Sequence, residues 1–517
     1  MPKCKINGQE IEVAAGTTII EAFKKLNTDI AHYCWHPGLS VAGVCRLCMV
    51  QIEGMPKLQI ACNTEVKEGM VINNVDPQVK EAVKWGLDFH LINHPLDCPI
   101  CDQAGECGLQ DQYMQYGKYD PEMAEPKVKK KKVVDLGPTV VLDSERCILC
   151  SRCVRFTEEV SKTNELGIFN RGDHSEIGTV PGKPLDNKYS LNTVDICPVG
   201  ALTSKDFRFR QRVWYLKEAD SVFPGCSTGC SVKVYFNEEG LWRVKPRYNA
   251  EVNGYWMCDE GRNTYQYVNK KVRLLEGKVG QRGSWQNVEP AQAARSAGLK
   301  IKETVEKYGP DALAVVVTGQ YTNEEYAAFF KLVQSWKTKS VFHWQNNPDK
   351  VNEFDGLLLR GDKNPNTAGL MNAMKASGYA GKWEDLQRGL NSGQFKTVVV
   401  LGPENQAVFP DLKEKLQMLG KAPALVWCSA GTSEELDSVG AECWQIPMKT
   451  YVEKEGSFTN FQGKSQSFKI ATTVVAEALN LIEATELLNG HDLDWSNRPQ
   501  AFGGGKKNRF TQVRGTL

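Results

Sequence analysis

Hydrophobic and polar positions change period several times along the chain. A strand, an Asn7-Gly8 turn and a second strand carrying Ile11 and Val13 open it. Thr18 and Glu21 form a capping box, and Ile19, Phe23 and Leu26 recur at near-helical spacing. Strand, turn, strand and helix followed by a cysteine loop predict a small α+β domain over 1–78. Val79, Val83, Leu87 and Leu91 then step by four and make one apolar helix face, which Pro95 ends with His94 at its edge. The run KVKKKK (127–132) reads as a solvated linker, and a compact stretch continues to about residue 215. Beyond about 275, DALAVVVTG (311–319), SVFHW (340–344), TVVVLG (397–402) and ALVWC (424–428) read as buried strands. They alternate with helical stretches such as 322–337, where Thr322 and Glu325 form a second capping box. This is an α/β pattern with a largely parallel sheet. No G-x-G-x-x-G follows any of these strands, so no dinucleotide motif accompanies the sheet. The Gly-rich, basic tail (502–517) reads as a surface end rather than a fold element.

Length adds that 517 residues exceed one core and imply about three or four domains. A net charge of +1 gives no footing for nucleic acid or an anionic membrane. No apolar run is long enough for a spanning helix, and MPKCKINGQE has no apolar export signal, so a cytoplasmic chain is expected. The outlier is cysteine. Of seventeen, fourteen fall between Cys34 and Cys258, mostly in C-x-x-C steps, which in a large chain without an export signal points to metal rather than disulfides.

The first set is Cys34-x10-Cys45-x2-Cys48-x13-Cys62. A tight pair with two outer thiolates suits a [2Fe–2S] cluster, although the first gap exceeds the plant-type spacing and structural zinc uses the same donors. The second is Cys98-x2-Cys101-x5-Cys107 with His94 ahead of it, and His90 is a rival one turn earlier. Taken alone, three cysteines and a histidine favour zinc. The third is Cys147-x2-Cys150-x2-Cys153 with a remote Cys197-Pro198, the habit of bacterial [4Fe–4S] ferredoxins, and it tips its neighbours toward iron as well. The fourth, Cys226-x3-Cys230-x27-Cys258, is incomplete, because Phe223 stands where a further thiolate is wanted. A vestigial, empty site is expected there, with completion by Asp259 as the other reading. Cys4, Cys428 and Cys443 read as small buried hydrophobes.

The stretches GVCRLCMVQIEG (43–54), NHPLDCPICDQAGECGLQDQ (93–112), RCILCSRCVRF (146–156) and DICPVGALTSKDFRFR (195–210) resemble the large iron–sulfur subunit of respiratory complex I, the NADH:quinone oxidoreductase. The resemblance implies a β-grasp [2Fe–2S] ferredoxin-like domain (1–78) holding its cluster on Cys34, Cys45, Cys48 and Cys62. It implies a segment (79–139) with a [4Fe–4S] cluster on His94, Cys98, Cys101 and Cys107, choosing His94 over His90. A [4Fe–4S] ferredoxin-like domain (140–215) would use Cys147, Cys150, Cys153 and Cys197. A vestigial [4Fe–4S] domain of molybdopterin-oxidoreductase type (216–275) and a shortened α/β scaffold of the same kind (276–517) would follow, the latter carrying YVEKEGSFTNFQGKSQSF (451–468). Molybdopterin is not expected, since no cysteine lies between Cys258 and Cys428 to ligate molybdenum, nor is a third [4Fe–4S] cluster, since Phe223 replaces the first of its four cysteines.

The function so implied is one-electron relay from an FMN-bearing, NADH-oxidising subunit toward quinone, among other peripheral-arm subunits. The chain would have no substrate site or membrane span of its own and would sit peripheral to the inner membrane. An electron-transfer subunit of an NAD-linked hydrogenase or formate dehydrogenase shares the front half, and a zinc-stabilised interaction protein would explain the C-x-x-C pairs alone. Arg46, Arg152 and Arg155 read first as surface charges and second as groups that tune the clusters.

Overall fold

A computed structural model describes residues 1–118, 122–123, 125–432, 434–437 and 439–495, and the backbone of 506–507. The described chain divides into two compact units, Met1–Tyr215 and Leu216–Lys507.

The first unit opens with β1 (Lys3–Ile6) and β2 (Gln9–Glu12), joined through Asn7 and Gly8, both of which take positive φ as that turn requires. Helix α1 (Ile19–Lys25) starts at Thr18, whose backbone N–H donates to the Glu21 carboxylate at 2.8 Å. Strands β3 (Met49–Ile52), β4 (Gln59–Ile60) and β5 (Met70–Asn73) complete a five-stranded sheet of order β2-β1-β5-β3-β4, in which β1 and β5 run parallel. Ile19, Ile20, Ala22 and Phe23 of α1 are sealed into one core with Ile6, Val50 and Ile72 of the sheet. Helix α2 (Pro77–Leu91) buries Val79, Val83 and Leu87, the expected apolar face, and α3 (Gly108–Tyr116) follows the second cysteine group. Then come β6 (Val134–Asp135), β7 (Val140–Leu142), α4 (Arg152–Arg155), β8 (Leu166–Phe169), β9 (Glu176–Thr179), α5 (Asn192–Ile196) and β10 (Leu202–Ser204), with β10-β7-β6 forming a small sheet.

The lysine run departs from the solvated linker expected of it. Lys127 caps the end of α2 by donating to the Leu91 and Ile92 carbonyls at 2.9 and 3.0 Å. Lys132 pairs with Asp97 and Glu145 at 2.5 and 2.6 Å, and Lys130 reaches the Ser175 carbonyl. Charge runs read as linkers when their partners lie far away in sequence, as they do here.

In the second unit β11 (Lys217–Val222), β12 (Ser231–Asn237) and β13 (Gly240–Pro246) form a meander, followed by α6 (Asp259–Asn263). After β14 (Gly277–Gln281), β15 (Ser284–Val288) and α7 (Pro290–Tyr308), the strands β16 (Leu313–Val317), β17 (Val341–His343), β18 (Thr397–Leu401), β19 (Ala424–Ser429) and β20 (Glu442–Pro447) alternate with α8 (Asn323–Ser335), α9 (Thr367–Ala376), α10 (Trp383–Asn391), α11 (Leu412–Leu419) and α12 (Glu434–Asp437). The seven-stranded order is β15-β14-β20-β19-β18-β16-β17, parallel from β20 to β17 and closed by the antiparallel pair β14 and β15. All residues of β16 and β18 are buried, which is why they read as continuous apolar runs. The three outer strands β14, β15 and β20 carry polar and glycine positions and lacked that signal.

The segment 451–468 supplies a buried ionic knot and the hairpin β21 (Gly456–Thr459) and β22 (Ser465–Phe468), ahead of α13 (Leu481–Leu488). Arg273 pairs with Glu453 at 2.8 Å with both side chains fully buried, and Lys454 lies 2.9 Å from Glu325 and 3.4 Å from Glu404. Within the tail, Lys506–Lys507 form a two-residue strand, β23, against Lys217 and Glu218, contrary to the expectation of no fold element; the rest of that tail lies outside the described residues.

Candidate metal centres

Among the described residues no three His, Cys, Asp or Glu side chains converge as donors to a single metal ion. The thiols of the first unit gather instead into the wider groups read from the spacing.

Cys34, Cys45, Cys48 and Cys62 come from the loop after α1, the loop before β3 and the turn between β4 and β5, and all four are buried. They lie within hydrogen-bond reach of one another, Cys34 with Cys45 and Cys62, and Cys48 with Cys62. Hydrogen bonding from Cys45, then from Cys62, holds the Cys34 thiol far below its ordinary range. Gly43 and Arg46 take positive φ, so the 43–48 loop curls back and aims the Val44 and Cys45 amides at the Cys34 sulfur. The Tyr33 amide donates to the Cys45 sulfur at 3.4 Å. Amides converging on sulfur suit a group of net negative charge.

His94, Cys98, Cys101 and Cys107 line one cavity of about 620 Å³ together with Asp97, Arg146 and Gly200. Cys101 and Cys107 are buried and Cys98 is exposed. Burial pushes the Cys107 thiol up to about 12, and amides from Gln110 and Leu109 at the start of α3 partly offset this. Such a thiol ionises only beside a cation. Burial also holds His94 neutral, down to about 4, and its buried Nδ1 has no hydrogen-bond partner. A neutral imidazole with an orphaned nitrogen and three thiols on one cavity are the donor types that metal sites use. His90 is engaged elsewhere: its Nδ1 bonds the Gly86 carbonyl at 2.6 Å, its ring packs edge-on against Tyr33, and it does not line the cavity.

Cys147, Cys150, Cys153 and Cys197 enclose a small void with Leu142, Ile148 and Val199. Leu149 and Ser151 sit at φ 54° and 59°, the left-handed turns that let C-x2-C-x2-C point all three sulfurs inward. Burial raises Cys147 to about 12 and Cys150 to about 11.

Sequence reasoning missed the struts between these sets, and it misread two arginines as surface charges. Arg155 is buried, 8% exposed, and donates to the carbonyls of Cys34 at 2.5 Å and Cys150 at 3.4 Å, and to that of Ser40. Arg152, half-buried, donates to the Trp35 and Ile196 carbonyls at 2.6 and 3.0 Å. Both guanidiniums therefore tie the first set to the third, whereas Arg46 is exposed as expected. The third set is joined in turn to the second. The Gly108 amide donates to the Pro198 carbonyl at 2.8 Å, and Gly200 lies so close to Cys101 that a Cβ on it would stand 2.2 Å from Sγ. Arg212 holds the Cys101 and Pro99 carbonyls at 2.6 Å. The one sequence signal for these struts was the place of Arg152 and Gly108 immediately beside ligand cysteines; Arg155, Gly200 and Arg212 carried none.

Cys226, Cys230 and Cys258 are also buried, with Asp259 next to them. Phe223 is 3% exposed, and its ring packs on Gly225 and Gly261, where a Cβ would stand 2.2 and 2.4 Å away.

Four family models match in chain order. They are a 2Fe-2S iron-sulfur cluster binding domain (3–77), the NADH-ubiquinone oxidoreductase-G iron-sulfur binding region (86–121), the ferredoxin-like domain of NADH-quinone oxidoreductase subunit 3 (137–203) and a molybdopterin oxidoreductase Fe4S4 domain (216–270). The G-type NADH-quinone oxidoreductase subunit of Rickettsia conorii is 38% identical over 69% of this chain and 51% of its own length. The 78 kDa mitochondrial subunit of the NADH-ubiquinone oxidoreductase of Neurospora crassa is 42% identical over 62% of this chain and 43% of its own. Over these stretches the chain is similar to G subunits of NADH-quinone oxidoreductase. The matched models give it a [2Fe–2S] domain and [4Fe–4S]-binding domains. It spans about half the length of the oxidoreductase-G relatives it matches. A chain of an NAD+-reducing [NiFe]-hydrogenase is 27% identical over 41% of this one, with a TM-score of 0.38, too low to establish a shared fold. Among the described residues no helix is long and apolar enough to cross a membrane.

Proposed function

We propose that this chain is an electron-transfer subunit of an NADH:quinone oxidoreductase, taking electrons from an FMN- and NADH-binding partner and passing them toward quinone within the peripheral arm. The names its relatives bear support that reading. The observation that carries it is the gathering of three donor sets into one compact unit, joined by buried arginines and a shared backbone hydrogen bond. Cys34, Cys45, Cys48 and Cys62 would hold a [2Fe–2S] cluster, and His94, Cys98, Cys101 and Cys107, like Cys147, Cys150, Cys153 and Cys197, a [4Fe–4S] cluster each. Bound there, iron–sulfur clusters supply one-electron redox chemistry.

The residues set how readily each site accepts an electron. His94 in place of a thiolate removes one negative charge from its site and favours reduction. Arg152 and Arg155, desolvated beside the first and third sets, favour the more negative, reduced state of both. Phe223 fills the corner of the fourth group, which supports reading Cys226, Cys230 and Cys258 as an empty vestige. The 276–517 region is then a scaffold of molybdopterin-oxidoreductase type, and the chain a cytoplasmic protein held peripherally at the inner membrane by its complex.

The test is iron, sulfide and zinc per chain on anaerobically purified protein, with EPR of the reduced sample. About ten irons, with one two-iron and two four-iron signals, are expected. Stoichiometric zinc with little iron in protein never exposed to oxygen would overturn the reading.

A further inference from the structure

The gap of ten residues between Cys34 and Cys45 exceeds the plant-type spacing, and its extra length leaves the first site to reach the helix that carries the third. Arg152 holds the Trp35 carbonyl at 2.6 Å. Ser40 then gives every hydrogen-bonding group it has to the same helix. Its amide donates to one oxygen of the Glu159 carboxylate at 2.8 Å, its hydroxyl donates to the other, and its carbonyl accepts from Arg155. Arg155 and Glu159 lie four residues apart, so they face the loop together. The turn that carries Glu159, Phe156–Val160, is a π turn closed by the Ser161 amide on the Phe156 carbonyl at 3.1 Å, a geometry found mostly at functional sites. Ser40 is exposed, so these bonds rather than burial hold the loop at that point. Beyond it the chain turns back through Gly43, at positive φ, to deliver Cys45.

We propose that this loop is the docking strap of the first site and Glu159 the positioning residue that latches it, so that the bonds between Ser40 and Glu159 fix the separation of the first and third donor sets. The inference rests on the reading of both sets as cluster sites. The latch has a ligand at each end: the strap begins at Cys34, and the helix carries Cys153 two residues before Arg155. A shift of the strap is therefore a shift of one site against the other. Reaction between held partners loses rate steeply with misplacement, so the latch serves the relay between the sites rather than either site alone. It also accounts for the long gap, which a two-iron site does not itself require.

The test is E159A in the assembled, cluster-loaded protein, read by iron content, by hydrogen exchange at the Ser40 amide, and by pulsed dipolar EPR with both sites reduced. Iron should be unchanged, and the Ser40 amide should exchange about tenfold faster once its acceptor is gone. The dipolar spectrum should report a wider spread of separations between the two-iron signal and that of the 147–197 site. E159Q, which keeps the length and one acceptor oxygen, should fall between E159A and the wild type. A contact that only stabilised the fold would lower the melting midpoint and leave the separation in loaded protein as it was. Full iron with an unchanged separation, or an unchanged Ser40 exchange rate, overturns this inference alone. Absence of iron from either wild-type site overturns the cluster reading and the inference with it. Should E159A fail to load, S40A, which removes only the hydroxyl bond, decides: a widened separation supports the latch, and an unchanged one overturns it.

Discussion

The Pro198 carbonyl accepts the Gly108 amide at 2.8 Å, and this bond ties the chain leaving Cys197 to the chain leaving Cys107. Gly108 is the first residue of α3, and Cys107 before it is extended at φ −91° and ψ 117°, a conformation that proline at 108 tolerates. G108P deletes the donor and also sets its ring carbon against the Pro198 carbonyl, so it should destabilise the first unit by more than the roughly 1–3 kcal/mol of an orphaned acceptor, while G108A, which keeps the amide, loses less. G200A should exceed G108A, since its Cβ has no room beside Cys101. Anaerobic denaturant unfolding ranks the three, and identical midpoints would show that the contact carries no stability.

Arg155 satisfies carbonyls on both sides of the junction between the first and third sets. R155A leaves the Cys34 and Cys150 carbonyls buried without this donor and should lower stability by about 3 kcal/mol, with early loss of the two-iron signal on warming. R155K should rescue little, because an ammonium cannot span the same fork of acceptors. Thermal melts followed by EPR amplitude provide the check.

His343 gives the second unit a pH dependence. Burial lowers its pKa to about 4, and its Nε2 is enclosed without a partner. The unfolded chain, with an ordinary histidine value of about 6.5, binds the extra proton first as pH falls. Stability contributed at this position is therefore fully present above about pH 6.5 and declines toward pH 4, by roughly 1–3 kcal/mol in all. H343L should flatten that slope, as read by hydrogen exchange of the β16 and β17 amides between pH 4.5 and 7. Parallel slopes for the two proteins would contradict it.

Removing iron with a chelator under reducing conditions should weaken the first unit and spare the second. The raised thiols of the second and third sets lose their compensating cation only in Met1–Tyr215. Calorimetry should show one transition falling and one fixed. A common fall would mean that the units melt together.

Phe223 can be exchanged for the thiolate its position lacks. F223C opens a cavity worth about 3–5 kcal/mol if it stays empty, and refills it if the four cysteines take up iron. About four additional irons per chain are expected after anaerobic reconstitution. An unchanged iron count would show that the pocket has lost more than one ligand.

The donor sets were legible because metal chemistry fixes residue type and spacing together. The capping boxes at Thr18 and Thr322, the α2 face and the inner strands β16, β18 and β19 were legible because local pattern and burial agree there. What escaped depended on partners distant in sequence. Arg155 meets Cys34 across 121 residues and Lys132 meets Asp97 across 35, and neither pairing leaves a periodic trace. The strands β14, β15 and β20 escaped because their polar and glycine positions interrupt the apolar run.

The ionic knot of the second unit bears on how the chain is made. Glu325 is translated 129 residues before Lys454, the cation that neutralises it. Until the ribosome has passed that point, the emerging domain holds a carboxylate destined for its interior with only the local Thr322 amide to bind it. Closing the helices over the sheet before then would bury a carboxylate without its cation. The 451–468 segment is thus a clasp that arrives after the last parallel strand, Glu442–Pro447, has been made.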